Sequence, residues 1–158
     1  MMNEAAADGV AASASMADIV CQLAIPAQLA HGQAAIATIT LHNRSNQTLQ
    51  LLRRNTPFEG WLADSLSVER NGQAVAYIGA MAKRMPPSAS EYLHLKPGTR
   101  YSYRASLQDA YDVSATGRYR VDWRGEVMDA YFGIRKPNPD HMAAQTIACG
   151  AVSFERTP

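Results

Sequence analysis

Short alternating apolar segments, frequent turn signals between them and the absence of a sustained helical period predict an all-β chain. Roughly seven to nine such segments in one domain-sized length describe an antiparallel β-sandwich of immunoglobulin-like type. The 158 residues allow one domain with tails, long enough to bury a core. The domain is expected over residues 17–158, behind a disordered Ala/Ser/Gly-rich tail at 1–16 that has neither the basic start nor the Leu-rich centre of a signal peptide.

Each element has its own reason. "AAIATITLHN" places Ile36, Thr38 and Thr40 on one face and Ala37, Ile39 and Leu41 on the other, and its β-branched content favours strand. "DIVCQLAIPAQL" alternates loosely before it. An Ala-rich helix over 23–37 is opposed by Pro26 and Gly32. "TLQLLR" follows the "RSNQ" turn as a short strand. "WLADSLSVER" and "QAVAYIG" flank Asn71-Gly72, a pair suited to a type I′ hairpin because both central residues need positive φ. "EYLHL" and "TRYSYRASL" are joined by Lys96-Pro97-Gly98, with Pro and Gly where a type II turn wants them. In "YDVSATGRYRVDW", Asp112 and Ser114 open a turn, Gly117 closes it, and Tyr119, Val121 and Trp123 share one side of the next strand. A Tyr so placed hydrogen-bonds back to the turn in many sandwiches. Residues 125–145 are irregular, and "QTIACGAVSFER" is a last strand with a bend at its glycine.

Composition narrows the function classes. The net charge of +1 argues against nucleic acid, since Arg53-Arg54, Lys83-Arg84 and Arg135-Lys136 are isolated pairs among acids. No apolar run is long enough to span a bilayer. His31, His42, His94 and His141 show no ligand spacing, so no metal or other cofactor is expected. Asp109, Asp112 and Asp122 are close in sequence, but turn chemistry accounts for Asp112 and for Asp109. The chain lacks GxSxG and phosphate-loop patterns, and no catalytic residue is assigned. Cys21 and Cys149 fit no zinc motif. In an exported protein they could bridge the first and last strands; in the cytosol they would be buried thiols. Asn43-Arg44-Ser45 and Asn46-Gln47-Thr48 match the glycosylation pattern, but turns favour the same residues. The aromatic set, including Trp61, Tyr77, Tyr92, Tyr101, Tyr103 and Phe132, suits either a core or a carbohydrate-binding face.

Several blocks taken together, "LHNRS", "LLRRNTPFEG", "RNGQAVAYIGAMAKR", "LKPG", "YDVSATGRYRV" and "IACGAVSFER", resemble the N-terminal pro-domain of bacterial deuterolysin-like (aspzincin) metalloendopeptidases, which include peptidyl-Lys endopeptidases. They cover roughly residues 33–155. No HExxH zinc motif accompanies them, so the resemblance implies the pro-domain without the protease: a non-enzymatic inhibitor or folding helper of a secreted zinc metalloendopeptidase, in the periplasm or outside the cell. It implies that Met81, Ala82, Lys83, Arg84 and Met85 meet the protease cleft, with Lys83 or Arg84 offered to an acidic pocket and Pro86-Pro87 resisting cleavage. The other reading is a β-sandwich binding module for carbohydrate or a protein partner.

Overall fold

The computed structural model describes residues 13–158. The expected tail falls mostly outside them. Within them, Ser15 caps a short 3-10 turn, Met16–Asp18, through a reciprocal capping box with Asp18.

Two sheets make the sandwich. One has β1 (Ile19–Ala24), β3 (Ile36–Asn43) and β8 (Arg100–Ser106) in the order β1-β3-β8. The other runs β2-β13-β9-β5-β6, with β2 (Gln28–Leu29), β13 (Ala151–Arg156), β9 (Gly117–Asp122), β5 (Ser67–Arg70) and β6 (Gln73–Ala74). The topology is immunoglobulin-like: the first strand segment pairs in one sheet, and its continuation β2 crosses to run beside the last strand of the other. That β2–β13 pair is parallel, so the sandwich is not wholly antiparallel as expected. A smaller sheet, β11-β4-β7, is built from β4 (Leu49–Leu52), β7 (Tyr92–Leu95) and β11 (Ala130–Phe132), and β10 (Glu126–Val127) pairs with β12 (Gln145–Thr146).

The alternation in β3 puts Ala37, Ile39 and Leu41 in the core. Opposite them lie Val68, Tyr119, Val121, Trp123 and Phe154, all buried. Phe58 plugs the middle, edge-on to Trp123 at 5.2 Å and to Tyr101 at 5.8 Å. Tyr119 donates to the carbonyl of Ala115 at 2.6 Å, the corner bond expected from its place after Gly117. Next to this corner the buried Arg156 donates to the carbonyls of Val113, Ala30 and Gln33.

The structure departs from the expected elements where a side chain replaces a ladder bond. Residues 61–63 are bends and 64–66 irregular, not strand, and the Tyr111 hydroxyl takes a pairing role there: it donates to Asp64 at 2.6 Å and accepts from the Leu66 amide at 3.2 Å. The Asn71-Gly72 hairpin forms, with φ of 51° and 84°, but its second strand stops at Ala74. The expected last strand divides into β12 and β13 around Gly150, and the irregular stretch before it holds β10 and β11. Cys21 on β1 is bonded to Cys149, just before β13, which ties the two sheets together. The Asn43 side chain is buried, with its amide donating to the carbonyls of Gln47 and Leu95, so the first glycosylation match is a turn-forming Asn.

Candidate functional site

The segment after the hairpin, residues 77–85, forms a ridge fastened at short intervals. Tyr77 bridges Tyr111, and the Ile78 amide donates to the Ala110 carbonyl at 2.7 Å. The Tyr77 hydroxyl folds back to the carbonyl of Ala80. Gly79 permits this, since a Cβ there would lie 2.6 Å from that hydroxyl. The Ala82 amide donates to the Leu62 carbonyl at 3.0 Å. Between these ties the side chains point outward: Ile78 is 63% exposed, Met81 72% and Met85 80%, with Lys83 also exposed.

The expected Lys83-Arg84 pair is split. Arg84 does not project. Its guanidinium grips the Glu59 carboxylate with two bonds of 2.6 and 2.7 Å, and only 17% of the Arg84 side chain and 8% of the Glu59 side chain are exposed. The hydrogen bond to Glu59 raises the Arg84 pKa further, so the cation is permanent. Lys83 is left as the outward cation of the ridge, and Arg84 is its anchor.

Glu59 reaches this position through local chemistry. Thr56 caps the turn Pro57–Glu59, accepting from the Phe58 amide and donating to the Arg53 carbonyl. Phe58 goes into the core, and the adjacent Glu59 turns away from it to lie covered under Arg84, where the Asn55 amide also donates to it. A parallel device lies alongside. Ser88 and Glu91 form a capping box on the turn Ala89–Glu91, and Arg54 forks onto Glu91 at 2.9 and 3.0 Å. Burial alone would push the Glu91 carboxyl up; the Ser88 amide and Arg54 outweigh it and hold the carboxyl below its usual range. Neither acid was among the expected site residues, yet both T-P-F-E and S-A-S-E carry the capping-box spacing in the sequence.

These groups line an open cleft of about 540 Å³ between Arg53, Glu59, Leu62, Lys83, Met85 and Glu91. A larger groove, about 980 Å³, runs past Met81, Asp64, Leu66, Trp123 and Glu126. Residues of the ridge thus line both depressions. Its chemistry is that of a contact element: apolar side chains and one free-standing cation on backbone that is already fixed. Among the described residues no cluster of three His, Cys, Asp or Glu could hold a metal ion, and no helix is long and apolar enough to cross a membrane. Of the aromatic side chains singled out from the sequence, Tyr92 is buried and Trp61, Tyr77, Tyr101, Tyr103 and Phe132 are half-buried.

Comparison with known proteins gives one sequence relative of note. The chain is 37% identical over 83 residues to an extracellular protease of Aeromonas hydrophila; the match takes in 52% of this chain and 24% of that protein. The chain thus spans about a quarter of its relative. No protein-family model matches. Among solved structures, a CARDB domain from Pyrococcus furiosus overlaps 89% of this chain and 88% of its own length at 10% identity and a TM-score of 0.35. A β-glucosidase from Listeria innocua overlaps 89% of this chain and 16% of its own at 13% identity and a TM-score of 0.34.

Proposed function

We propose that the chain is a non-catalytic domain that binds a secreted zinc metalloendopeptidase of the aspzincin type and covers its active-site cleft, as an inhibitor or a folding helper. The observation that carries this reading is the fastened ridge. A strip of tied backbone with Ile78, Met81, Lys83 and Met85 exposed has the chemistry to enter a cleft. Because its backbone is tied at Tyr77, Ile78, Ala82 and Arg84, little conformational entropy remains to be lost on docking. Lys83 fits an acidic specificity pocket, and Arg84 beneath it holds the loop in place. The partial similarity to an extracellular protease supports the class of partner and a location outside the cytoplasm.

The test is a titration against a Lys-specific aspzincin endopeptidase, followed by cleavage of a Lys-containing peptide. Tight, stoichiometric inhibition with the domain left intact is the expected result, and Lys83→Ala should weaken it about tenfold or more. Unchanged cleavage, or digestion of the domain, would remove this reading.

A further inference from the structure

The outer faces of the two sandwich sheets treat their arginines differently. On the β9 face, Arg118 lies opposite Glu155, and Arg120 lies opposite Glu69. Each cation has an acid across the ladder, the usual way a solvated sheet balances its charge. The β1-β3-β8 face has no such balance. Its outward residues fall into rows: Val20, His42 and Arg100; then Gln22, Thr40 and Ser102; then Ala24, Thr38 and Arg104. No Asp or Glu occurs in any of these strands. Arg44, at the end of β3, adds a further cation beside the first row. The nearest acid along the chain to β1, Asp18, stands at the rim of the first row, where its carbonyl accepts from the Arg44 amide and its carboxylate from the Ser15 amide; the second and third rows have no acid beside them in the ladder.

We infer that this face binds an acidic polysaccharide. Arg100 and Arg104 stand four residues apart on β8, about 13 Å along the strand, each able to take a sulfate, phosphate or carboxylate group with its planar fork. Between them lies a polar row that can meet sugar hydroxyls: the Gln22 amide and the Thr40 and Ser102 hydroxyls, the latter two bonded to each other at 2.8 Å. The field of the bare arginines is already felt at His42, whose pKa is lowered by desolvation and then by Arg100 and Arg44. The flat face presents no outward aromatic on which nucleic-acid bases could stack. Val20 is its one exposed large apolar side chain, too little to insert into a membrane. The inference rests on the sheet register and is independent of the protease reading.

Heparin serves as the probe, immobilised and in solution, at about 50 mM salt where exposed charge contacts are strong. The wild-type domain should be retained. The double variant Arg100→Gln/Arg104→Gln should bind about tenfold more weakly or worse, while Arg118→Gln/Arg120→Gln on the balanced face should bind like wild type. Thermal melts check that both remain folded; if the first double melts early, Arg100→Gln and Arg104→Gln are read singly, each expected about threefold weaker. Failure of the wild type to bind overturns the proposal. So does equal loss in the two doubles, and so does no loss in the first. Duplex DNA binding as tightly as heparin would also overturn it, by showing a surface for any polyanion.

Discussion

Two inward-turned arginines, Arg156 and Arg84, serve two regions of the molecule in different ways. Arg156 is 3% exposed and spends its guanidinium on backbone carbonyls of Ala30, Gln33 and Val113, with Tyr119 closing the corner beside it. It stitches three segments of the frame, and no acid is involved. Arg84 is held by one carboxylate, Glu59, and its Nε has no hydrogen-bond partner. The first arrangement is redundant and belongs to the core. The second is a single clamp under an exposed ridge. Damage at Arg156 should therefore be felt as lost stability, and damage at Glu59 as lost order in the ridge and lost binding.

The frame should be the more costly to break. Removing the Cys21–Cys149 link, which closes a separation of 128 residues, by Cys21→Ser/Cys149→Ser is expected to cost about 4–5 kcal/mol in urea unfolding. Arg156→Leu leaves the buried Val113 carbonyl and the part-buried Gln33 carbonyl without a donor and should cost about 3 kcal/mol, while the surviving folded fraction should keep the proposed inhibition at full strength. Glu59→Gln should cost less, about 2 kcal/mol, yet reduce inhibition about tenfold; equal inhibition by this variant and wild type would end the distinction between frame and clamp. Tyr119→Phe removes one corner bond and should cost about 1 kcal/mol with inhibition unchanged.

Acid should weaken the ridge's surroundings through Glu91. The Glu91 carboxyl titrates below its unfolded value, so its contribution is present above pH of about 4 and is lost as pH falls through the lowered folded value. Stability measured across that window should fall on acidification, and Glu91→Gln should flatten the dependence.

The ridge and its loop show how far local reading carries. The basic stretch from Met81 to Met85 was visible as a projecting loop because a hairpin signal precedes it and Pro86-Pro87 ends it. Which of its two cations faces outward was not visible. That depends on Glu59, 25 residues earlier, whose placement follows from Phe58 entering the core. The charge of the β1-β3-β8 face was equally hidden, since only strand pairing shows which residues share a face and which charges are opposite.

The sequence by itself determined what nearest neighbours control. The alternation of β3 sorts its residues between core and solvent, Asn71-Gly72 makes the tight hairpin through positive φ, and Gly117 followed by Tyr119 builds the corner. Only the tertiary structure decided that Cys21 and Cys149 are bonded and not free thiols, and which partners meet elsewhere: Glu59 for Arg84, the carbonyls around Arg156, and the parallel run of β2 beside β13. The physical reason is range. Periodicity and turn chemistry act over a few residues, whereas these pairings join groups 25 to 128 residues apart and exist only because the packed sheets bring them together.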